Sequence, residues 1–117
     1  MSLARAVFQA RRLAERYGPA GRVAGRYVLA GYNVTMNFKT PHGEVSFIAK
    51  RGQELYAVDV VVESGPVRVE RLEAIRRKAE SIRAKPVLAL YGAGPEATKE
   101  LVEKARELGV KIKRFRF

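Results

Sequence analysis

Apolar residues recur along this chain with two different periods, and the switches between them mark out the elements. Leu3, Val7, Ala10, Leu13, Ala14 and Tyr17 share one helical stripe, with Ser2 placed to cap it and Gly18-Pro19 to stop it. A second helical stretch over about 20–30 carries Val23, Tyr27 and Val28 and ends at Gly31. The period then drops to two. Val34, Met36 and Phe38 alternate in 33–39, Val45, Phe47 and Ala49 in 44–50, and Val58, Val60 and Val62 in 54–63. Pro41-His42-Gly43 and Arg51-Gly52 are the turns between them, so an antiparallel meander is expected.

The second half changes rhythm again. After Gly65-Pro66, the residues Val69, Leu72, Ile75, Ala79 and Ile82 predict a helix over 67–84. Pro86–Tyr91 is a short, wholly apolar run of the kind found inside a sheet. A helix through Thr98, Leu101, Val102, Ala105 and Leu108 stops at Gly109, and 110–117 is a last strand. The order ααβββαβαβ predicts an α/β (α+β) domain, a mixed five-stranded sheet flanked by helices on both faces. The whole chain, 1–117, reads as one domain, with 1–19 a helical extension to a core at 20–117. It contains no linker, repeat or low-complexity segment.

Composition narrows the function classes. The chain has 117 residues, 47% hydrophobic and 30% charged, enough for one ordinary core. Its apolar runs are too short to span a bilayer, and the first residues lack the apolar stretch of a signal peptide, so a cytoplasmic location is expected. No cysteine is present, which excludes disulfides, thiolate metal sites and thiol nucleophiles. Few Asn and Gln beside many Arg, Glu and Val suit a thermophile. The net charge of +11, from 23 basic against 12 acidic residues, is unevenly spread. Residues 1–52 hold nine Lys/Arg against Glu15 and Glu44, whereas 53–117 hold fourteen against ten. Such an excess is the footprint of a polyanion partner, and nucleic acid is the expected one.

Three segments carry a family resemblance. Gly31-Tyr32-Asn33-Val34, then Gly43-Glu44-Val45-Ser46-Phe47-Ile48-Ala49, then Leu55-Tyr56-Ala57-Val58-Asp59-Val60-Val61 resemble, in order and spacing, the Holliday junction resolvase-like branch of the PD-(D/E)xK nucleases. The resemblance covers about 20–117 and implies a restriction-endonuclease-like core. It also implies two acids holding Mg²⁺ and a lysine activating water. By position these fall on Ser46, Asp59 and Val61, of which only Asp59 can ionise. The resemblance therefore implies a degenerate site with no catalytic residues, no bound metal and no cofactor. The alternative is an active Mg²⁺-dependent endonuclease with migrated residues, built from Glu44, Asp59, Glu63 and Lys50. Asp59 itself is expected in a structural salt bridge to an arginine, because an unpartnered carboxylate in an apolar strand is costly. Ser81 to Ala89 also resembles the helix-to-strand segment of the tRNA-splicing endonuclease C-terminal domain, with Lys85 at that family's lysine. That chemistry needs a Tyr and a His as well, and His42 sits in a turn outside the pattern.

What remains is a binding surface. Phosphate contacts are expected from Arg5, Arg12, Arg16, Arg22 and Arg26 on the first two helices, and from Lys39, Lys50 and Arg51 in the meander turns. Arg76, Arg77 and Lys78 join them from the helix at 67–84, where Glu70, Glu73 and Glu80 interleave and offer pairing along the helix instead. The tail adds Lys113, Arg114, Phe115 and Arg116. Its apolar face switches between Val110/Ile112 and Phe115/Phe117, which would present aromatics for stacking on unpaired bases, form a bulge, or dock a second subunit. Partners left open are DNA or RNA, a homodimer, and a catalytic partner subunit for which this chain is structural; a membrane is not expected.

Overall fold

The strand alternation and helical stripes fold into three layers. The computed structural model describes residues 2–117. A five-stranded sheet has the order β1 (Asn33–Thr40), β2 (Gly43–Arg51), β3 (Glu54–Val61), β5 (Lys85–Tyr91) and β7 (Lys111–Phe115). β1–β2–β3 form the antiparallel meander, and β5 and β7 add in parallel. α1 (Leu3–Leu29) covers one face; α2 (Glu70–Ser81) and α3 (Lys99–Leu108) cover the other. The expected mixed α/β architecture is the one observed. No described helix is long and apolar enough to cross a membrane.

Gly18 breaks α1 with φ 60° and ψ −134°, so the two stretches read from the sequence are two arms of a hairpin. The arms touch through small residues. A Cβ on Gly21 would collide with the Leu13 carbonyl, and one on Gly25 would meet Ala10 Cβ at 3.1 Å. The inner arm lays Val23, Ala24 and Val28 on the sheet, and the outer arm lies on the inner one through Ala6 and its neighbours. Leu3, Val7 and Phe8, the first two expected on the packed stripe, are instead exposed, because the outer arm has only the inner arm to cover it.

The meander departs from simple alternation at one point. Val34, Met36, Phe47 and Ala49 face α1, whereas Phe38 and Val45 face α2 and α3. Asn37, with φ 50°, stands at the switch, and it turns what looked like one continuous apolar face into two. β3 ends at Val61, leaving Val62 exposed rather than in the core. Gly65-Pro66 does not open a helix. It forms a two-residue parallel strand, β4 (Gly65–Pro66), against β6 (Pro95–Glu96), so the loops after β3 and β5 are tied together. α2 begins three residues later than the expected 67 and ends at Ser81, where Arg83 turns left-handed with φ 55°. Thr98 caps α3 through the Leu101 amide, and Gly109 closes it at φ 70°.

Gly21→Ala should lower unfolding free energy in chemical denaturation by about 2–3 kcal/mol, an overpacking cost set against rigid backbone. Gly25→Ala, which meets only a side-chain methyl first, should cost less.

Candidate nucleic-acid interface

The place where the resemblance puts a metal is the point where β2 and β3 part. Backbone pairing runs from Arg51–Glu54 to Phe47–Val58, and the next pair would be Ser46 and Asp59. Here side chains replace the ladder. The Ser46 amide donates to Asp59 Oδ1 at 3.0 Å, and the Val60 amide donates to Ser46 Oγ at 3.1 Å. Lys78 reaches in from α2, donating to Asp59 Oδ2 at 3.0 Å and to the Glu44 carbonyl at 2.9 Å. Both side chains of this pair are largely buried, 18% and 15% exposed. The partner expected for Asp59 is an arginine; the structure supplies a lysine. One signal for it lies in the sequence: Lys78 sits three residues after Ile75 and four before Ile82, so it interrupts the buried stripe of α2 rather than its wet face.

The residues do not fit Mg²⁺. One carboxylate is present where two acids are needed, and an ammonium and an amide already neutralise it. Val61, at the lysine position, is buried in the core. The migrated set does not gather either. Glu63 is exposed, bonded to Arg71 at 3.1 Å, and its carboxyl is held below the usual range by the amides of Glu63 and Val62 and then by Arg71. Glu44 is exposed and offers Lys78 its carbonyl, while Lys50 lies six residues further along β2, opposite Asn33 and Leu55. Among the described residues no three His, Cys, Asp or Glu side chains converge. The tRNA-splicing pattern is no closer. Lys85 is level with Tyr56 and Ala49 in the ladder, whereas His42 lies in the turn at the other end of β2.

Charge is segregated by layer. α1 carries six arginines against Glu15 alone, while α2 has four cations against three glutamates and α3 three against three. Arg5, Arg12 and Arg16 are exposed on the outer arm; Arg12 lies over Phe8 and Arg16 over Tyr17. Arg22 and Arg26 lie over the Phe117 ring at 5.4 and 4.4 Å, and Arg22 also donates to the Tyr91 hydroxyl. Lys39, Lys50, Arg77, Lys113 and Arg116 are exposed.

Besides Lys78, which is held by Asp59 and the Glu44 carbonyl, four expected contacts have structural work instead. Arg51 donates to the Ala30 carbonyl and to Glu54, and Arg76 pairs with Glu80. Arg114 is held by the Gly92 and Pro95 carbonyls, pinning the loop after β5. Phe115 is buried in the core against Tyr27, so the switch of apolar face in the tail reflects a sheet covered on both sides. Stacking on bases is closed to this ring by burial.

Sequence reasoning missed a recess of about 230 Å³ on the α1 side, lined by Arg26, Tyr27, Tyr32, Arg51, Tyr56, Lys111 and Lys113. The inner arm of α1 covers the middle of the sheet but leaves the start of the edge strand β7 uncovered, and the recess opens there. Glu54 organises its tyrosines, accepting from Tyr56 at 3.1 Å, from Tyr32 at 3.5 Å and from Arg51 at 3.1 Å. Arg51 and then Tyr56 hold the Glu54 carboxyl below its ordinary value. Burial pushes the Tyr27 hydroxyl up to about 12. Tyr32 is buried, as its place at the start of an apolar strand suggests, whereas Tyr27 and Tyr56 are part-exposed at the recess.

Lys78→Met leaves Asp59 without its cation and should cost about 3 kcal/mol in chemical denaturation. The double variant Asp59→Asn/Lys78→Met should cost clearly less than the two single changes added together, the signature of direct coupling.

No protein-family model matches the chain, and no curated protein matches it in sequence. Three solved structures share its fold. A repair endonuclease from Pyrococcus abyssi aligns over 99% of this chain with a TM-score of 0.63 at 10% identity. SfsA from Pyrococcus furiosus, solved in complex with Ca²⁺, aligns over 75% with a TM-score of 0.56 at 12% identity. A protein of unknown function aligns over 93% with a TM-score of 0.57 at 13% identity. The chain spans about half the length of these structures: 48%, 49% and 58%. Its five-stranded mixed sheet with helices on both faces is a nuclease-like fold.

Proposed function

We propose that this protein binds nucleic acid through its α1 layer, on a PD-(D/E)xK, Holliday junction resolvase-like scaffold that no longer cuts by the metal-dependent route. The observation that carries the reading is the segregation of charge: six arginines and one glutamate on the layer over one sheet face, and near balance on the other. A uniformly solubilising surface has no reason to sort its charges this way, whereas a phosphate backbone attracts them to one side. The zipped Ser46–Asp59–Lys78 network supports the second half of the proposal, since a metal would have to displace Lys78 and break both amide contacts. Binding of this kind is carried by phosphates and is tolerant of sequence.

Fluorescence anisotropy on labelled single strands, duplex, four-way junction and RNA tests it across about 50–300 mM salt. The logarithm of the association constant should fall linearly with log salt, by about 0.7–0.9 per phosphate neutralised. Replacing Arg5, Arg12 and Arg16 by Gln should flatten the slope by about one for each arginine that neutralises a phosphate. All strands should stay intact with Mg²⁺ or Mn²⁺ on a denaturing gel. Cutting that Asp59→Ala abolishes would overturn the non-cleaving half, and salt-independent or absent binding would overturn the other.

A further inference from the structure

The recess beside β7 has the chemistry of a nucleotide subsite, and it lies away from the degenerate nuclease centre. Tyr56 and Asp59 are three residues apart on β3 and face opposite sides of the sheet: Tyr56 toward α1, Asp59 toward Lys78 of α2. Within the recess, four cations, Arg26, Arg51, Lys111 and Lys113, stand against Glu54 alone. Arg51 is committed to Glu54 and the Ala30 carbonyl, and Arg26 reaches the Arg116 carbonyl. Lys111 and Lys113 have no carboxylate partner among the described residues. Both are exposed, on the same strand face as Phe115 and at the uncovered sheet edge.

Tyrosine rings lie beside this charge: those of Tyr27 and Tyr56 are part-exposed, while Tyr32 is buried with the Arg51 guanidinium 4.3 Å from its ring. Tyr27 meets Tyr32 edge-on at 5.5 Å, Tyr32 meets Tyr56 at 5.9 Å, and Lys113 lies over the Tyr27 and Phe115 rings. The Glu54 bonds hold the rings of Tyr32 and Tyr56 in place before any ligand arrives. At about 230 Å³ the recess falls below the roughly 300–1,000 Å³ of pockets that enclose a whole small ligand, so it would hold part of one nucleotide unit and leave the rest in solvent.

We infer that this recess binds one phosphorylated nucleotide unit, its base against the part-exposed rings of Tyr27 and Tyr56 and its phosphate among Arg26, Lys111 and Lys113. The inference deepens the proposed function, because a strand crossing the α1 layer would seat one of its nucleotides here. The same chemistry is offered by a free nucleoside monophosphate, and the two sources are separable. Stacking on an aromatic face gives such a site affinity for any base.

The test uses the full chain and amide and tyrosine-ring NMR signals, titrated separately with adenosine monophosphate, with inorganic phosphate and with a twelve-residue single strand. The expected result is that the strand moves the ring signals of Tyr27 and Tyr56. Lys111→Gln/Lys113→Gln and Tyr56→Leu should each weaken strand binding about tenfold, while Tyr56→Phe, which keeps the ring, stays within about twofold. Circular dichroism checks that each variant is folded. Should Tyr56→Leu unfold, the ring shifts and the lysine variant decide alone. Shifts with both monophosphate and strand support a site open to either source, and shifts with the strand alone support a strand subsite. Phosphate moving Lys111 and Lys113 while no ligand moves the tyrosines overturns the nucleotide assignment. Strand binding with unmoved tyrosines and an unchanged lysine variant overturns the recess but leaves the α1 surface standing. If no strand binds at all, the proposed function fails. The recess then stands or falls on whether the monophosphate moves the tyrosines.

Discussion

A sheet whose interior strand β5 runs Val87-Leu88-Ala89-Leu90, buried on both faces, has to be covered twice, and most of this molecule follows from that constraint. α2 and α3 cover one side as ordinary crossover helices. The meander brings no helix of its own to the other side, so the N-terminal hairpin must lie across it. Because the inner arm does the covering, the outer arm is free to carry cations, and Arg5, Arg12 and Arg16 face water. The hairpin itself depends on close approach, which is why Gly21 and Gly25 stand where a larger residue would push the arms apart.

The same two-sided burial shapes the fate of Asp59. A carboxylate on a strand between two apolar layers requires a counter-charge and hydrogen bonds, or it is too costly to keep. A divalent ion would meet that requirement on a scaffold with a second acid. Here the hydroxyl and amide of Ser46 stitch the strands together, and Lys78 brings the positive charge. A structural pair answers the electrostatic demand. What the fold retains is a platform with one cationic side.

That side is not uniform. The hairpin covers the sheet incompletely, and the shortfall at the β7 edge leaves Lys111 and Lys113 exposed beside tyrosines held by Glu54. Elsewhere the apparent excess of charge is partly consumed by architecture. Arg51 and Arg114 bind backbone carbonyls that would otherwise be left in loops, and Arg68, Arg71 and Arg76 are paired. Counting basic residues overstates the free cationic surface; their hydrogen-bond commitments define it.

Local patterns settled the element order. The stripe of Leu72, Ile75 and Ala79, the alternation of Phe47 and Ala49, and the stops at Gly18 and Gly109 act within a few residues, and the chain obeys them. That Ser46 and Val61 carry no charge was equally legible, because it concerns residue type alone. Tertiary structure decided the rest. Asn37 reverses a strand face through one backbone angle, and no hydrophobic period registers it. Lys78 meets Asp59 across nineteen residues, and Tyr27, Tyr56 and Lys111 meet in a recess only once a helix, a middle strand and an edge strand are stacked. Periodicity reports which way a side chain leans from its own element. Which partner it finds there depends on packing between elements distant in the chain, and that was decided by the fold.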